Sequence, residues 1–282
     1  MKFFFSAIIF FLSGTLFSHA ENTPQRIISL SPNATTILVD LGVRGELVGI
    51  TRYCTPPSGI SPTVIGGFID PSAETILALK PGVLVRAHTG EKSFVERMRR
   101  CGISVLLLNP EGYENTKKDV ELLGKTLGKE ARAREILASW SAAESRIAED
   151  LRACPLPAKP KTLVRWGEVF VGKKSYLNTA LELCGAENCV PESARAWPVL
   201  SKENIIATGA ELLICVTPDG PVALTLSPAL AKRLATVPEY SRLPAVVRGN
   251  VWEIREGQSL YPASRLYEFL PALAGAIRAS AK

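Results

Sequence analysis

The sequence predicts an α/β protein built from two similar lobes with parallel sheets, and three observations lead to this fold class. The segment Ser72–Val85 aligns without gaps on Ser201–Ile214, and each copy has the pattern of a helix followed by an apolar strand. Short apolar runs alternate with helical patterns in both halves, which is typical of parallel strands covered by helices. A long segment without proline separates the halves and predicts a helix between them.

In the first lobe, the positions of proline and glycine set the ends of the predicted elements. Pro32 marks the start of a helix and Gly42 its end, whereas Pro56 and Pro57 require a loop after the second strand. The elements predicted here are a strand at Arg26–Leu30, a helix at Ala34–Leu41, a strand at Leu47–Ile50, the first copy of the repeat, a helix at Lys92–Cys101 and a strand at Val105–Leu108.

The segment from Thr116 to Ala153 is rich in Ala, Glu, Lys, Arg and Leu, and its apolar residues recur at helical spacing. Gly124 and Gly128 indicate a break, so we predict two helices. The second, Lys129–Ala153, would be roughly 37 Å long at 1.5 Å per residue, which is enough to bridge two lobes. We therefore expect a first lobe over 21–128, a bridging helix over 129–153 and a second lobe over 154–282.

The second lobe repeats the alternation of strands and helices. Its predicted elements are a strand at Thr162–Arg165, a helix at Leu177–Cys184, the second copy of the repeat, a strand at Val251–Ile254 and a closing helix at Ala263–Ala279.

Residues 1–20 have the pattern of a signal peptide. Lys2 precedes the apolar run Phe3–Phe17, and Ser18-His19-Ala20 forms a small-x-Ala cleavage site. No cysteine follows the run, so we do not expect a lipid anchor, and no later stretch approaches the roughly 20 apolar residues that cross a bilayer. We expect cleavage after Ala20 and a soluble periplasmic product.

Composition excludes several classes of protein. The net charge of +6 comes from scattered basic residues that do not alternate with aromatic ones, which disfavours nucleic-acid binding. We find no Gly-x-Ser-x-Gly, Walker or Gly-x-Gly-x-x-Gly motif, and His88 is the only histidine after the signal peptide, so we do not expect an enzyme. The absence of Cys-x-x-Cys argues against a metal site.

Six cysteines lie in the mature chain, where an oxidising compartment allows them to pair. Cys184 with Cys189 is one candidate disulfide and Cys54 with Cys101 another, whereas Cys215 in an apolar strand is expected to be a buried thiol. Cys154 has no assigned partner, and the connectivity stays open.

Aromatic residues gather in loops just after strands or just before helices. In α/β sheets the carboxyl ends of the strands are where ligands bind, and aromatic rings favour a flat or macrocyclic ligand. The alternative is that each ring packs locally in the core, as we expect for Trp140 and Trp252. The predicted ligand-binding residues are Tyr53, Phe68, Trp166, Phe170, Trp197 and Tyr261.

Glu74 and Glu203 occupy the same position in the two copies of the repeat, two residues after a serine that we expect to cap a helix. An acid in the first helical turn stabilises the helix dipole, which explains either residue alone. The matched pair favours a symmetric contact with a two-fold partner.

Six segments together resemble one known family, the class III (helical-backbone) periplasmic binding proteins of ABC importers, and above all those members that bind corrinoids. They are Arg26–Pro32, Gly49–Cys54, Ile65–Pro71, Ile76–Pro81, Leu183–Asn188 and Trp197–Glu203. The resemblance covers nearly the whole mature chain. It differs at Phe68, where the corrinoid-binding relative that it most resembles has Trp, and in the closing helix, which lacks the cysteine that would pair with Cys184.

The resemblance implies two Rossmann-like lobes joined by one long helix, with the ligand in the cleft between them. It implies that Glu74 and Glu203 bind arginines of an inner-membrane permease dimer, and that a monomer delivers a corrinoid, cobalamin foremost, to that permease. One alternative is a ferric siderophore or haem carrier of the same fold, in which four arginines bind ligand carboxylates: Arg52, Arg86, Arg165 and Arg255. The other is an exported Rossmann-like enzyme.

Overall fold

We describe a computed structural model of the chain that covers residues 25–87, 91–192, 195–221, 223–257 and 260–281. The predicted signal peptide, its cleavage site after Ala20, and His88 lie outside the described residues. None of the described helices is long and apolar enough to span a membrane.

The first lobe is a five-stranded, fully parallel sheet in the order β3-β2-β1-β4-β5. The central strand β1 is completely buried, which explains why its sequence is apolar on both faces. The elements are β1 Ile27–Ser29, α1 Pro32–Asp40, β2 Leu47–Ile50, β3 Thr63–Val64, α2 Ala73–Ala78, β4 Val83–Ala87, α3 Lys92–Arg100 and β5 Ser104–Leu108.

Two antiparallel helices follow, α4 at Tyr113–Thr126 and α5 at Glu130–Ala153. The chain turns between them at Gly128, whose φ of 65° is in the left-handed region that glycine tolerates best. Two helices with a break here were predicted from the glycines, and the prediction is confirmed.

Helix α5 packs on the cores of both halves. Ala133 and Ile136 belong to the hydrophobic cluster of the first sheet, and Trp140 and Ile147 belong to a cluster of the second. Its 24 residues span roughly 36 Å at 1.5 Å per residue. The helix is thus placed as a bridge, while the lobe boundaries given above remain a prediction.

The second lobe holds a sheet in the order β10-β11-β9-β6-β7, with β8 beside β6. The pairs among β11, β9, β6 and β8 are parallel, and only the edge strands β10 and β7 are antiparallel. The elements are β6 Lys161–Trp166, β7 Val169–Phe170, α6 Tyr176–Leu183, β8 Glu187–Asn188, α7 Lys202–Ala207, β9 Leu212–Thr217, β10 Thr225–Leu226, α8 Pro228–Leu234, α9 Pro238–Ser241, α10 Pro244–Val247, β11 Val251–Arg255 and α11 Leu266–Ser280.

The two lobes share one connectivity, so the repeat seen in the sequence extends to the whole sheet. The order β2-β1-β4-β5 in the first lobe corresponds to β8-β6-β9-β11 in the second. In each lobe the repeated helix, α2 or α7, leads into the strand that pairs with the first strand of the sheet. Even the turn after the helix matches, since Lys80 has a φ of 47° where the second copy has Gly209 with 56°.

The lobes also touch at the start of α4 and the start of α11. Tyr113 packs in a hydrophobic cluster of the second lobe, where Trp140 donates its indole N–H to the Tyr113 hydroxyl at 2.6 Å. At the other contact, the Asp40 carboxylate accepts hydrogen bonds from Ser264 at 2.6 Å and from Arg265 at 2.5 and 3.0 Å. The Arg265 pKa is raised, chiefly because of this hydrogen bond to Asp40.

The predicted disulfides are wrong, because all six cysteines are free thiols. Cys184 is buried against α11, with its sulfur 3.5 Å from the Leu270 carbonyl oxygen, whereas Cys189 packs against a different hydrophobic cluster. Burial raises the pKa of Cys184 and Cys189 to about 12. Cys54 instead contacts the Thr51 hydroxyl at 3.1 Å, and Cys215 is buried as expected.

Candidate ligand-binding cleft

A cavity of about 460 Å³ lies where loops from both lobes meet. The first lobe contributes the loop after β5, and the second lobe contributes the end of β6, the start of α6 and two loops. This is the edge at which the carboxyl ends of parallel strands meet ligands. The lining residues are Pro110, Glu111, Trp166, Val169, Ser175, Tyr176, Ala196, Trp197, Tyr261 and Pro262.

Four aromatic rings form the second-lobe wall of the cavity. Trp166 meets Trp197 edge to face, with centroids 5.7 Å apart and an interplanar angle of 88°, and it stacks on Tyr261 at 6.3 Å and 24°. Tyr176 lies 5.7 Å from Trp197. These distances are in the range where aromatic pairs attract each other beyond simple burial. The wall is thus a prearranged aromatic surface.

Hydrogen bonds hold the two tyrosines of this wall. The buried Tyr176 hydroxyl donates to the Leu260 carbonyl at 2.7 Å, and burial raises its pKa well above the ordinary value. The Tyr261 hydroxyl donates to Glu256 at 3.1 Å. Burial and the Glu256 carboxylate raise the pKa of Tyr261 to about 12, so both hydroxyls stay neutral.

The loop that carries Trp197 is fastened to the end of the second sheet. Phe170 and Gly172 donate their backbone N–H groups to the carbonyls of Pro198 and Ala196, each at 2.9 Å. A Cβ atom at Gly172 would lie 2.8 Å from the Arg195 carbonyl oxygen, so only glycine allows this approach. The position of Trp197 therefore depends on Gly172.

The structure brings three of the six predicted ligand residues to the cavity: Trp166, Trp197 and Tyr261. Tyr176 lines it as well, but it is not among the predicted ligand residues; it directly precedes the helix predicted at Leu177–Cys184. The signal that could have found it is the one used for the others, namely an aromatic residue directly before a helix.

The other three predicted residues lie elsewhere. Tyr53 and Phe68 are in the first lobe outside the cavity lining, where they contact the guanidinium groups of Arg52 at 5.9 Å and Arg86 at 6.0 Å. Phe170 is only 3% exposed and packs in the core of the second lobe, because the short hairpin β6-β7 turns its ring inward. The prediction that Phe170 faces the cleft is therefore corrected.

Charge is scarce in the cavity, since Glu111 is the only charged residue among the described residues that line it. The arginines considered as carboxylate partners lie outside that lining. Arg52 pairs with Asp70 at 3.2 Å, and Arg165 and Arg255 donate to the carbonyls of Gly167 at 2.8 Å and Gly220 at 2.9 Å.

The remaining one, Arg86, is buried in β4 between the rings of Phe68 and Phe94. Burial lowers the pKa of this guanidinium, which the Glu91 carboxylate partly opposes.

The loop from Asn109 to Gly112 forms the first-lobe wall, and Asp119 supports it from below. One Asp119 oxygen accepts the Asn109 N–H at 3.1 Å, and the other has no hydrogen-bond partner in the described part of the chain. Burial raises the pKa of Asp119 from 3.8 to about 6, although the Asn109 hydrogen bond opposes the shift.

Glu74 and Glu203 are exposed near the starts of α2 and α7. Each helix is capped as predicted, because Ser72 and Ser201 accept the N–H of Thr75 and Asn204, both at 3.2 Å. Neither glutamate has an ion-pair partner within the residues that the structure describes. The Glu203 pKa is lowered by hydrogen bonds from its own backbone N–H and from Ser201.

No cluster of three or more potential ligands for a metal ion exists among the described residues.

Comparison with known families decides what kind of protein carries this cleft. The family of periplasmic binding proteins matches residues 27–256, which is most of the chain. The chain belongs to this family. As a periplasmic binding protein it is the substrate-binding part of an ABC importer rather than an enzyme, and it works in the periplasm with a permease as partner.

Relatives of this periplasmic binding protein include a cobalamin-binding protein of Halobacterium salinarum. It is 24% identical over 266 residues, which cover 91% of this chain and 70% of the relative. A vitamin B12-binding protein of Pectobacterium atrosepticum is 23% identical over 198 residues, covering 68% of this chain and 71% of that protein.

Solved structures share the fold. A periplasmic haem-binding protein from Roseiflexus sp. RS-1 matches with a TM-score of 0.76 and 20% identity, over 92% of this chain and 99% of that one. The periplasmic vitamin B12-binding protein of Vibrio cholerae matches with a TM-score of 0.74 and 17% identity, over the same shares. The predicted fold of two α/β lobes is confirmed.

Proposed function

We propose that this periplasmic binding protein captures a corrinoid, cobalamin foremost, and delivers it to an ABC importer. The observation that carries the proposal is the aromatic wall of the cavity, where Glu111 is the only charged residue among the described lining residues. A planar macrocycle with neutral amide side chains suits aromatic faces, and it needs no basic partners. Relatives named for cobalamin and vitamin B12 support the same ligand class.

Two of the alternative ligands, haem and the carboxylate siderophores, carry carboxylates. A haem or a carboxylate siderophore favours arginines that converge on the ligand, since guanidinium groups bind carboxylates in a bidentate manner. Arg52, Arg165 and Arg255 are instead engaged outside the cavity lining, and Glu111 would repel an anionic ligand. The charge pattern therefore favours the corrinoid.

Within this proposal, Trp166, Tyr176, Trp197 and Tyr261 hold one face of the ligand. Tyr53 is 61% exposed and follows the carboxyl end of β2, and Phe68 lies in the same lobe. We assign both to the first-lobe rim, where they would contact the part of the ligand that projects from the cavity.

The proposal includes the route of delivery. The chain is exported with cleavage after Ala20 and acts as a monomer. A helix between parallel strands runs back along the sheet, so the starts of α2 and α7 lie on the side of the cleft. There Glu74 binds an arginine of one permease subunit, and Glu203 binds an arginine of the other subunit of the dimer.

Calorimetric titration of the protein from Glu21 onward with cyanocobalamin, haemin and a ferric siderophore tests the ligand. We expect binding heat with cyanocobalamin at micromolar protein concentration, and its absence would contradict the corrinoid assignment. Trp197→Ala should weaken binding by roughly 30-fold or more, as for a central aromatic contact. Val199→Ala, in the same loop but outside the cavity lining, is the matched control.

A further inference from the structure

The helices α2 and α7 expose the same set of side chains on one face. Each has an acid, then an aliphatic residue three positions later, then an alanine. The matched exposed residues are Glu74, Leu77 and Ala78 in α2, and Glu203, Ile206 and Ala207 in α7. Leu77 is 40% exposed and Ile206 is 44% exposed.

Packing inside the protein does not account for these aliphatic residues. The buried face of each helix is already anchored by an isoleucine, Ile76 in α2 and Ile205 in α7. A single exposed leucine is ordinary on a protein surface. Two exposed aliphatic residues occupy equivalent positions of a repeat, each one turn after an acid that has no ion-pair partner among the described residues. This arrangement points to a shared external contact.

We propose that these two acid-and-aliphatic patches are a bipartite docking surface for the permease dimer. The inference rests on the proposed docking role of Glu74 and Glu203 and adds an apolar component to it. Residues three apart on a helix have Cβ atoms about 5–6 Å apart. Each permease subunit should therefore present a basic group beside an apolar recess at that spacing. The basic group would pair with Glu74 or Glu203, and the recess would accept Leu77 or Ile206.

The two components act differently, and the difference makes the proposal measurable. Exposed charges attract a partner over about 10 Å at 0.1 M salt and are screened at higher salt. Burial of an aliphatic side chain is short-ranged and does not weaken as salt screens charges. Loss of Leu77 or Ile206 should therefore reduce affinity equally at low and high salt, whereas loss of the acids should matter most at low salt.

The experiment measures binding of the ligand-loaded protein to its importer complex, purified from the producing species and held in lipid nanodiscs, at about 0.1 M and 0.5 M salt. Leu77→Ser or Ile206→Ser should each weaken binding roughly tenfold, and the double variant on the order of 100-fold. Leu77→Met with Ile206→Met should restore most of the affinity. Glu74→Gln with Glu203→Gln supplies the salt-dependent comparison.

Val64→Ser and Val247→Ser are the controls, since these valines are 56% and 72% exposed outside α2 and α7. Titration with cyanocobalamin should give the same affinity for every variant. If the Leu77/Ile206 double variant binds the importer as tightly as the wild type does, this inference is overturned and the acids alone form the contact. Failure of the wild type to bind the importer overturns the docking role itself.

Discussion

Asp119 is buried beneath the first-lobe wall of the cavity, and its carboxyl group links the stability of the protein to pH. Its pKa is higher in the folded protein, about 6 against 3.8, because burial disfavours the charged form. The folded state therefore binds this proton more tightly than the unfolded state. The resulting stabilisation is present below the unfolded pKa and is lost as the pH rises through about 6.

Asp119→Asn should remove this pH dependence while retaining an oxygen that accepts the Asn109 N–H. We expect the free energy of unfolding of the wild type to fall, relative to the variant, as the pH rises from 4 to 7. Urea unfolding at several pH values measures it, with the exposed Asp219→Asn as control. If the free energies of unfolding of the wild type and Asp119→Asn changed with pH in parallel, burial would not raise the pKa of this carboxyl group.

The sequence locates a residue well where the strand order alone decides its position. Trp166 ends β6, and Trp197 and Tyr261 lie in loops that follow strands of the same sheet. Because the carboxyl ends of parallel strands share one edge, their meeting could be foreseen, while their role in ligand binding stays a prediction. Phe170 follows the same rule in sequence, but a two-residue antiparallel strand turns it into the core. Such a short hairpin has no periodicity that a sequence could reveal.

Contact between helices α4 and α5 depends on a glycine. A Cβ atom at Gly124 would lie only 2.4 Å from the Cβ of Ala133, so the two helices approach each other closely at this position. Gly275 is likewise inside a helix, α11, but a Cβ atom there would meet nothing within 4 Å. Alanine would improve helix propensity equally at both positions. Its Cβ atom would clash with Ala133 at position 124 but would meet no neighbouring atom at position 275.

Gly124→Ala should therefore destabilise the protein by about 1–3 kcal/mol through overpacking. Gly275→Ala should be neutral or stabilise it by up to about 1 kcal/mol, since alanine is the better helix former. Chemical denaturation of both variants measures the difference. Equal effects of the two substitutions would mean that the close approach of α4 and α5 does not constrain position 124.

Long elements were predicted within a few residues of their ends, whereas the short ones were missed. The strands β3, β7, β8 and β10 have two residues each, which is too few for an alternating pattern. No element is predicted between β9 and β11, yet Pro228, Pro238 and Pro244 each open a helix there. Proline at the first helical position was the available signal.

At the scale of the whole molecule, α5 and the Asp40–Arg265 contact limit how the lobes can move. The helix is continuous and packs on both cores, and the ion pair joins the start of α11 to α1. Rigid connections of this kind permit only small closure, unlike flexible hinge strands.

We therefore expect X-ray scattering of the ligand-free and cyanocobalamin-bound protein to give the same radius of gyration within error. A clear decrease in the radius of gyration on ligand binding to the wild type would contradict the limited closure.

Asp40→Ala removes the ion pair between the lobes. This substitution should lower the free energy of unfolding, because it leaves the Arg265 charge without its partner.

The contact at α11 has a consequence for how the protein is made. Ala263 lies in the hydrophobic cluster of the first sheet, and the neighbouring Ser264 and Arg265 bind Asp40. The core begun by β1 is therefore completed only by residues 263–265, which follow every described strand of the second sheet. Whatever the order in which the two sheets form, the first lobe lacks part of its core until these residues are in place.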